Sequence, residues 1–323
     1  MKKPKVYLTR KIPKAIEILQ DFCELTVHNN TIAPSGKEII SKIRDKDGLL
    51  CNLSDKIHSE VIAAAKNLKV ISSYSVGYDH IDVSAATKRG IYVAYTPEVL
   101  KETTADLAFA LMLAAARRIA EGDRLIRRGK WKGKWSYEFM LGHDVYKKTL
   151  GIIGMGRIGS AIARRAKGFE MKVLYYKRNR LPSDMERELN VEYKELSDLL
   201  HASDFVSINL ALSKDTYHLI DEKKLKLMKN NSFLINTARG QVVDERALVK
   251  ALRNEWVAGA ALDVFENEPL PKNSPLLKFD NVVLVPHIGS ATRETRDKMA
   301  EVSALNVLNV LKGGKPLYAV NLI

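Results

Sequence analysis

Short apolar segments alternate with segments of helical periodicity along the first hundred residues. In the helical segments, which include residues 14–22, 36–44 and 59–66, apolar side chains recur every three or four positions. The apolar segments around them are predicted strands, at residues 6–9, 25–28, 48–51, 70–74 and 91–95. Alternation of this kind predicts a parallel sheet covered by helices.

A second alternating series begins near residue 149, after a break at Pro97. Between the two series, residues 103–128 predict one long helix and residues 129–148 an irregular segment. A last helix is predicted at 293–311. The strands predicted in the second series are residues 150–154, 172–176, 205–209, 233–236, 258–263 and 282–285. Two series of the same class predict an α/β protein with two parallel-sheet domains.

The composition is typical of a soluble globular protein. The chain has 323 residues, 46% apolar and 28% charged, which is enough to bury a core in each of two domains. No apolar run approaches the roughly 20 residues that span a bilayer, and the first residues lack the apolar segment of a secretory signal. We therefore expect a cytoplasmic protein with no membrane partner.

The two cysteines, Cys23 and Cys51, are too few for a disulfide framework or a zinc site. Both lie in or beside apolar segments, which favours small buried thiols over a catalytic pair. No metal site is predicted.

The net charge of +14 raises the question of a nucleic-acid partner. Residues 117–134 hold eight basic side chains against Glu121 and Asp123. No recognition motif accompanies them, so we expect no nucleic acid to bind. A solvated helix face, or a field that attracts an anionic substrate and cofactor, is the favoured interpretation.

A Gly-x-Gly-x-x-Gly pattern follows the first strand of the second series, in Gly154, Gly156 and Gly159. The pattern alone is weak, but here it lies between a strand and a helical segment, which is the setting of a dinucleotide-binding loop. The first glycine permits the tight turn, the second lets the backbone approach the pyrophosphate, and the third lets helix pack on strand. The helix N-terminus offers N–H groups to the phosphates.

The next strand ends in Lys177, Arg178, Asn179 and Arg180. Enzymes that prefer NAD carry an acidic residue near this position, where it binds the ribose 2′-hydroxyl. No acid is present here, and a carboxylate would repel a 2′-phosphate. NADP(H) is therefore the predicted cofactor, with NAD(H) as the alternative that a merely solvated basic turn would allow.

Three chemically capable side chains follow three predicted strands: Arg239, Glu268 and His287. Ligands bind beyond the carboxyl ends of strands in an open α/β sheet, so these side chains are expected to converge. Individually, each is more often a surface or structural residue. Together they match the reduction of a 2-oxo acid, which needs a cation for the carboxylate and a proton donor for the carbonyl oxygen.

These motifs, at residues 154–159, 236–244, 262–269 and 286–292, resemble the D-2-hydroxyacid dehydrogenase family in the same order along essentially the whole chain. Residues 75–82 and 176–180 are most similar to its glyoxylate/hydroxypyruvate reductases. The resemblance implies a flavodoxin-like substrate domain, residues 1–98 plus 290–323, and a Rossmann cofactor domain, residues 99–289. It also implies a homodimer, with the long helix from Thr103 at the interface.

The resemblance also implies roles for single residues. Arg239 would bind the substrate, His287 would be the acid/base, and Glu268 would pair with His287. Asp263 would face the nicotinamide carboxamide, or else cap its strand. Backbone N–H groups of Val76 and Gly77 would bind the substrate carboxylate. The other residues expected at the cofactor are Arg157, Ile158, Thr237, Ala238, His287 and Gly289, and Leu53 is expected at the substrate.

Two alternatives stay open. The same chemistry could serve phosphoglycerate or lactate, although no regulatory domain follows Ile323. A protein of another class, a dinucleotide-sensing binding protein, could use the same fold to recruit partners. The complete set of three side chains favours the enzyme.

Overall fold

A computed structural model describes residues 2–133 and 135–323, so Lys134, the last residue of the basic segment, lies outside the described residues. The chain forms two compact units. Unit 1 runs to Leu100 and includes Ser290–Ile323, and unit 2 is Lys101–Gly289. Among the described residues, no helix has both the length and the apolarity that crossing a membrane requires.

Unit 1 contains a five-stranded parallel sheet in the order β2-β1-β3-β4-β5, which is the flavodoxin-like order. Its middle strands β3 and β4 are buried along their whole length, as expected for a parallel sheet covered on both faces. The strands are β1 (Lys5–Leu8), β2 (Glu24–Val27), β3 (Gly48–Cys51), β4 (Val70–Ser73) and β5 (Tyr92–Ala94).

Helices cover both faces of this sheet. Alternation along β1 sends Val6 and Leu8 into one core and Tyr7 into the other. The C-terminal helix returns to the first core, where Ala300 and Val307 pack. The helices are α1 (Pro13–Leu19), α2 (Gly36–Ile43), α3 (Ser59–Ala64), α4 (Val83–Lys88) and, from the C-terminal segment, α12 (Arg293–Leu311).

Unit 2 contains a seven-stranded parallel sheet in the order β12-β11-β10-β9-β6-β7-β8. This is the Rossmann order with one further strand. All the strands are parallel, and the order in which they follow one another reverses between β6 and β9. The predicted fold class, with two different doubly wound sheets, is confirmed. The strands are β6 (Thr149–Ile153), β7 (Lys172–Tyr176), β8 (Val191–Tyr193), β9 (Phe205–Ile208), β10 (Phe233–Asn236), β11 (Gly259–Leu262) and β12 (Val282–Leu284).

The prediction of one helix over residues 103–128 is wrong. Two helices occupy this segment, because Arg118 takes a left-handed backbone conformation with φ +52°. The carbonyl of Ala116 instead accepts the N–H of His143, at 2.8 Å. The helices of unit 2 are α5 (Lys101–Ala116), α6 (Ile119–Arg127), α7 (Arg157–Ala166), α8 (Ser183–Leu189), α9 (Leu196–Ala202), α10 (Glu222–Leu225) and α11 (Glu245–Arg253).

Candidate active site

The glycine turn after β6 is shaped by contacts that only glycine permits. Gly154 has φ +98°, and a Cβ there would lie 2.5 Å from the carbonyl oxygen of Asn209. A Cβ on Gly159 would overlap the carbonyl of Gly154. A Cβ on Gly156 would meet no atom of the described residues within 4 Å. Contacts within the described chain therefore do not require a glycine at position 156. A bound pyrophosphate at the start of α7 would require one, because it approaches the backbone there.

The four residues after β7 differ in how firmly the fold holds them. Arg180 donates two hydrogen bonds to Glu186, both at 2.8 Å, and Glu186 also accepts one from the buried Tyr175 hydroxyl, at 2.5 Å. The hydrogen bonds from Arg180 and Tyr175 lower the pKa of Glu186 to about 2. Arg178 pairs with Asp215 at 2.7 Å, and both side chains are more than 70% exposed. Arg180 is thus tied to a side chain that the fold holds, whereas Arg178 is held by an ion pair in solvent.

Arg239 lies one turn beyond β10, in a segment shaped by the buried Asn236. The Asn236 side chain accepts the N–H of Ala238 at 3.0 Å and donates to the carbonyl of Arg239 at 2.9 Å. The Arg239 guanidinium donates to the carbonyl of Ala238 at 2.8 Å. Thr237, also predicted at the cofactor, is buried at the end of the same strand. A side-chain amide therefore holds the backbone turn that presents the arginine.

His287 and Glu268 form a hydrogen-bonded pair. The His287 Nδ1–H donates to the Glu268 carboxylate at 2.7 Å, and the other carboxylate oxygen accepts the N–H of Phe265 at 3.0 Å. Burial alone would raise the pKa of Glu268, but the hydrogen bond and charge of His287 and the charge of Arg239 lower it below its ordinary value. Because an ionised Glu268 accepts the Nδ1–H of His287, Nε2 is the ring atom that can exchange a proton with a ligand.

Asp263 holds the turn that carries the histidine. Its carboxylate, 1% exposed, accepts the N–H of Ile288 at 2.6 Å and the N–H of Gly289 at 2.9 Å. His287 directly precedes these two residues with φ +52°, and its own N–H donates to the Asp263 carbonyl at 2.9 Å. Burial raises the pKa of Asp263, against the lowering effect of these hydrogen bonds and of the His287 charge. The sequence left two roles for Asp263, a contact with the nicotinamide carboxamide and a cap at the end of its strand. The hydrogen bonds within the chain support the capping role.

The three predicted side chains therefore meet at one edge of the sheet. Arg239, Glu268 and His287 follow β10, β11 and β12, which are neighbours in the sheet, and their charges act on one another. An imidazole, a carboxylate and a guanidinium grouped in this way can bind an anion and move a proton. The histidine and glutamate side chains remain 26% and 31% exposed, so a ligand can reach them.

Some contacts that shape this site are not predicted by the sequence. Thr104, at the start of α5, donates to the carbonyl of Gly289 at 3.1 Å. Gly240 packs so closely on Phe265 that a Cβ would overlap the phenylalanine carbonyl. Both contacts join residues far apart in the chain, and a local pattern does not report them.

The residues predicted at the substrate from unit 1 lie after its central strands. Leu53 follows β3 and is 38% exposed. Val76 and Gly77 follow β4, in a turn where the Ser75 hydroxyl donates to the carbonyl of Gly77 at 2.5 Å. Buried Ser73 lies 2.6 Å from the Ser75 hydroxyl and supports the turn from beneath.

Comparison with known proteins identifies relatives of this arrangement. Residues 109–289 match the family model described as D-isomer specific 2-hydroxyacid dehydrogenase, NAD binding domain. The chain is 53% identical to a glyoxylate reductase of Korarchaeum cryptofilum over 320 residues, which cover 99% of this chain and 96% of the relative.

Solved structures agree with this result. A Thermus thermophilus protein superposes with a TM-score of 0.92 at 45% identity, covering 98% of this chain and all of that one. An NADPH-dependent glyoxylate/hydroxypyruvate reductase of Sinorhizobium meliloti, in complex with NADP and malonate, superposes with a TM-score of 0.86 at 32% identity, covering 99% and 97%.

Proposed function

Because the chain belongs to the D-isomer-specific 2-hydroxyacid dehydrogenase family, we propose that glyoxylate or hydroxypyruvate is the 2-oxo acid that it reduces. The general reaction predicted from the sequence, nicotinamide-dependent reduction of a 2-oxo acid, is confirmed by these relatives. The choice of small substrates rests on the names of relatives that are about half identical over nearly the whole chain.

The observation that carries the mechanism is the His287–Glu268 pair beside Arg239. Bound nicotinamide supplies the hydride. We assign Arg239 to the substrate carboxylate, where a guanidinium binds two oxygens and orients the carbonyl. His287 gives the proton to the carbonyl oxygen from Nε2, while ionised Glu268 stabilises the imidazolium and fixes its orientation. Leu53, Val76 and Gly77 stay predicted substrate contacts, with backbone N–H groups of the latter two as anion donors.

Replacement of His287 tests this assignment. His287→Ala is expected to remove most of kcat for glyoxylate, by about 100-fold or more, because it removes the general acid. The Kd of the reduced cofactor should change little. Arg239→Ala should raise KM as well as lower kcat. Turnover by His287→Ala close to that of the wild type would show that another group donates the proton, and an unchanged KM in Arg239→Ala would place the carboxylate elsewhere.

For the cofactor we propose a preference for NADP(H), carried by Lys177 and Arg178. Arg178 can exchange its exposed partner Asp215 for a 2′-phosphate, whereas Arg180 is engaged by Glu186. The glycine loop, with Arg157 and Ile158 at the start of α7, serves either cofactor. We also keep Asn179, Thr237, Ala238 and Gly289 as predicted cofactor contacts.

A matched pair of variants tests the cofactor proposal. Arg178→Gln should raise KM for NADPH about tenfold, the loss of one charge-assisted contact, and leave KM for NADH unchanged. Arg180→Gln should lower Tm and affect the two cofactors equally. A wild-type enzyme with higher kcat/KM for NADH than for NADPH would refute the preference.

We propose a homodimer formed through the segment that follows α6. Trp131, Trp135 and Tyr137 are 60%, 86% and 78% exposed there, and exposed large aromatic side chains are typical of protein interfaces. The segment expected at the interface from the sequence, the long helix from Thr103, is α5 and α6 in the structure; α5 packs against α7, β10 and β11 within unit 2, and the interface role of this segment stays a prediction. Sedimentation should give a dimer for the wild type and a monomer for Trp131→Ser/Trp135→Ser.

We further propose that the protein acts in the cytoplasm without a nucleic-acid partner. Both cysteines are free and buried, as suits a reducing compartment. The basic side chains of the α6 segment are partly neutralised, since Arg118 pairs with Glu121 and Arg127 with Asp123. Retention of the protein on immobilised RNA at physiological salt would argue against the second point.

A further inference from the structure

Glu266, two residues before Glu268, is the centre of a polar cluster that the proposed mechanism does not use. One of its carboxylate oxygens accepts the Nε2–H of His218 at 2.8 Å and the backbone N–H of Glu245 at 3.0 Å. The Glu245 carboxylate in turn accepts the backbone N–H of Glu266 at 3.3 Å. Two segments distant in sequence thus exchange side-chain and backbone hydrogen bonds.

These segments carry two of the three side chains of the proposed mechanism. Residues 239–245 begin with Arg239, and residues 265–268 end with Glu268. Gln241 adds a third bond, from its side-chain amide to the carbonyl of Glu266 at 2.8 Å. Gly240 lies directly against Phe265, so the two backbones touch. The relative position of Arg239 and Glu268 therefore depends on this contact.

His218 supports the cluster from a third segment. Its backbone N–H donates to the carbonyl of Gln241 at 2.8 Å. Two residues further on, Ile220 forms a parallel β-bridge with Val243. The imidazole stacks on the ring of Tyr217, with centroids 4.0 Å apart. The backbone pairing and the contact with Tyr217 therefore orient the His218 imidazole toward the Glu266 carboxylate.

We propose that Glu266, with His218 as its partner, is a positioning residue that sets Glu268 against His287 and Arg239. The inference rests on the proposed function, because it assigns Glu266 an effect on catalysis through Glu268. Without its carboxylate, the bonds to His218 and to the Glu245 N–H are lost, and residues 265–268 can shift relative to Arg239. A displacement of about 1 Å at a reacting group lowers a rate up to about 100-fold.

A metal site is the competing interpretation of the same cluster. Ligand atoms of His218, Asp244 and Glu266 all lie within 4.8 Å of one another. However, an Asp244 oxygen accepts the N–H of Ala247, and the Glu266 oxygen already has two donors. One oxygen of each carboxylate is thus engaged by the protein, which favours a structural brace.

The experiment compares Glu266→Ala with a matched control. Asp204 has a similar setting, since it is 21% exposed against 24% for Glu266 and accepts a backbone N–H, from Thr149, and a cation, Lys229. It lies at the amino ends of the strands, away from the site. Both alanine variants should lower Tm, but only Glu266→Ala should lower kcat, by about tenfold or more, with cofactor Kd unchanged. Glu266→Gln, which keeps an acceptor oxygen, should recover most of kcat.

A double substitution decides whether Glu266 acts through Glu268. In a Glu268→Gln background, Glu266→Ala should cause little further loss of kcat, because the group it positions is already gone. The same loss in both backgrounds, or a kcat effect no larger than that of Asp204→Ala, would overturn the proposal. Wild-type activity that EDTA removes and zinc restores would also overturn it, in favour of a metal. A wild type that reduces no 2-oxo acid would instead refute the proposed function.

Discussion

The turn that presents His287 should depend on a single buried carboxylate. Asp263 accepts two backbone N–H groups, from Ile288 and Gly289, and is 1% exposed. In Asp263→Asn the amide offers one oxygen, so one of the two N–H groups faces an NH2 group and loses its bond. In Asp263→Ala both N–H groups lose their acceptor.

The magnitudes follow from these two hydrogen bonds. A hydrogen bond to a charged group contributes about 1.5–3 kcal/mol, so Asp263→Asn should lower the free energy of unfolding by about 2 kcal/mol and Asp263→Ala by about 4 kcal/mol. Burial disfavours the charged form of Asp263, as its raised pKa shows. Removing the charge therefore regains part of this cost, and the two values are upper bounds. For a domain of about 190 residues, 2 kcal/mol corresponds to about 4–8 °C in Tm.

Thermal unfolding and steady-state kinetics, measured on the same samples, check this prediction. We expect Tm to fall in the order wild type, Asn, Ala, and kcat to fall in the same order as His287 leaves its position. Asp221→Ala, which removes the N-cap of α10, serves as a control and should lower stability by about 1 kcal/mol with kcat retained. A weaker cofactor Kd in Asp263→Asn with an unchanged Tm would refute the reasoning, because it would assign Asp263 to the cofactor.

Two glycines and one ion pair supply further predictions. Gly240→Ala should lower both Tm and kcat, since the added methyl group would overlap the Phe265 carbonyl. Gly156→Ala should keep Tm and weaken cofactor binding, because the added methyl group meets no described residue. Equal effects of the two variants on Tm would contradict this. Glu186 has a folded pKa of about 2, below its ordinary value, so its contribution to stability is present above about pH 4.5 and is lost as pH falls toward 2. The Tm difference between wild type and Glu186→Gln should therefore shrink over that range, and a difference independent of pH would show that the Arg180 pair contributes nothing.

Much of the fold follows from local pattern. The strands β3, β7 and β10 have the bounds that the sequence predicts, because a strand covered on both faces is marked by a run of apolar residues. The glycine loop follows from spacing, since each glycine meets a separate steric or ligand requirement. The helix predicted at 293–311 has its observed ends, where Thr292 provides an N-cap and Gly313 a left-handed exit.

Other features depend on contacts between distant segments. The three-residue strand β8 is too short to show a period, and Arg118 breaks a helix because His143 takes the carbonyl of Ala116. The fold also decides how similar residues divide their roles. Arg180 meets Glu186 in the fold and Arg178 does not, although both lie in the same basic turn.

The sequence by itself determined the chemistry available to this protein: a glycine loop for a dinucleotide, and an arginine, a glutamate and a histidine each placed after a strand. Only the tertiary structure decided which groups hold those side chains in place, namely Asp263 beneath the histidine turn and Gly240 against Phe265. The reason is physical. Residue type and spacing are local properties of the chain, whereas a buried hydrogen bond or a close backbone contact exists only after the strands have paired.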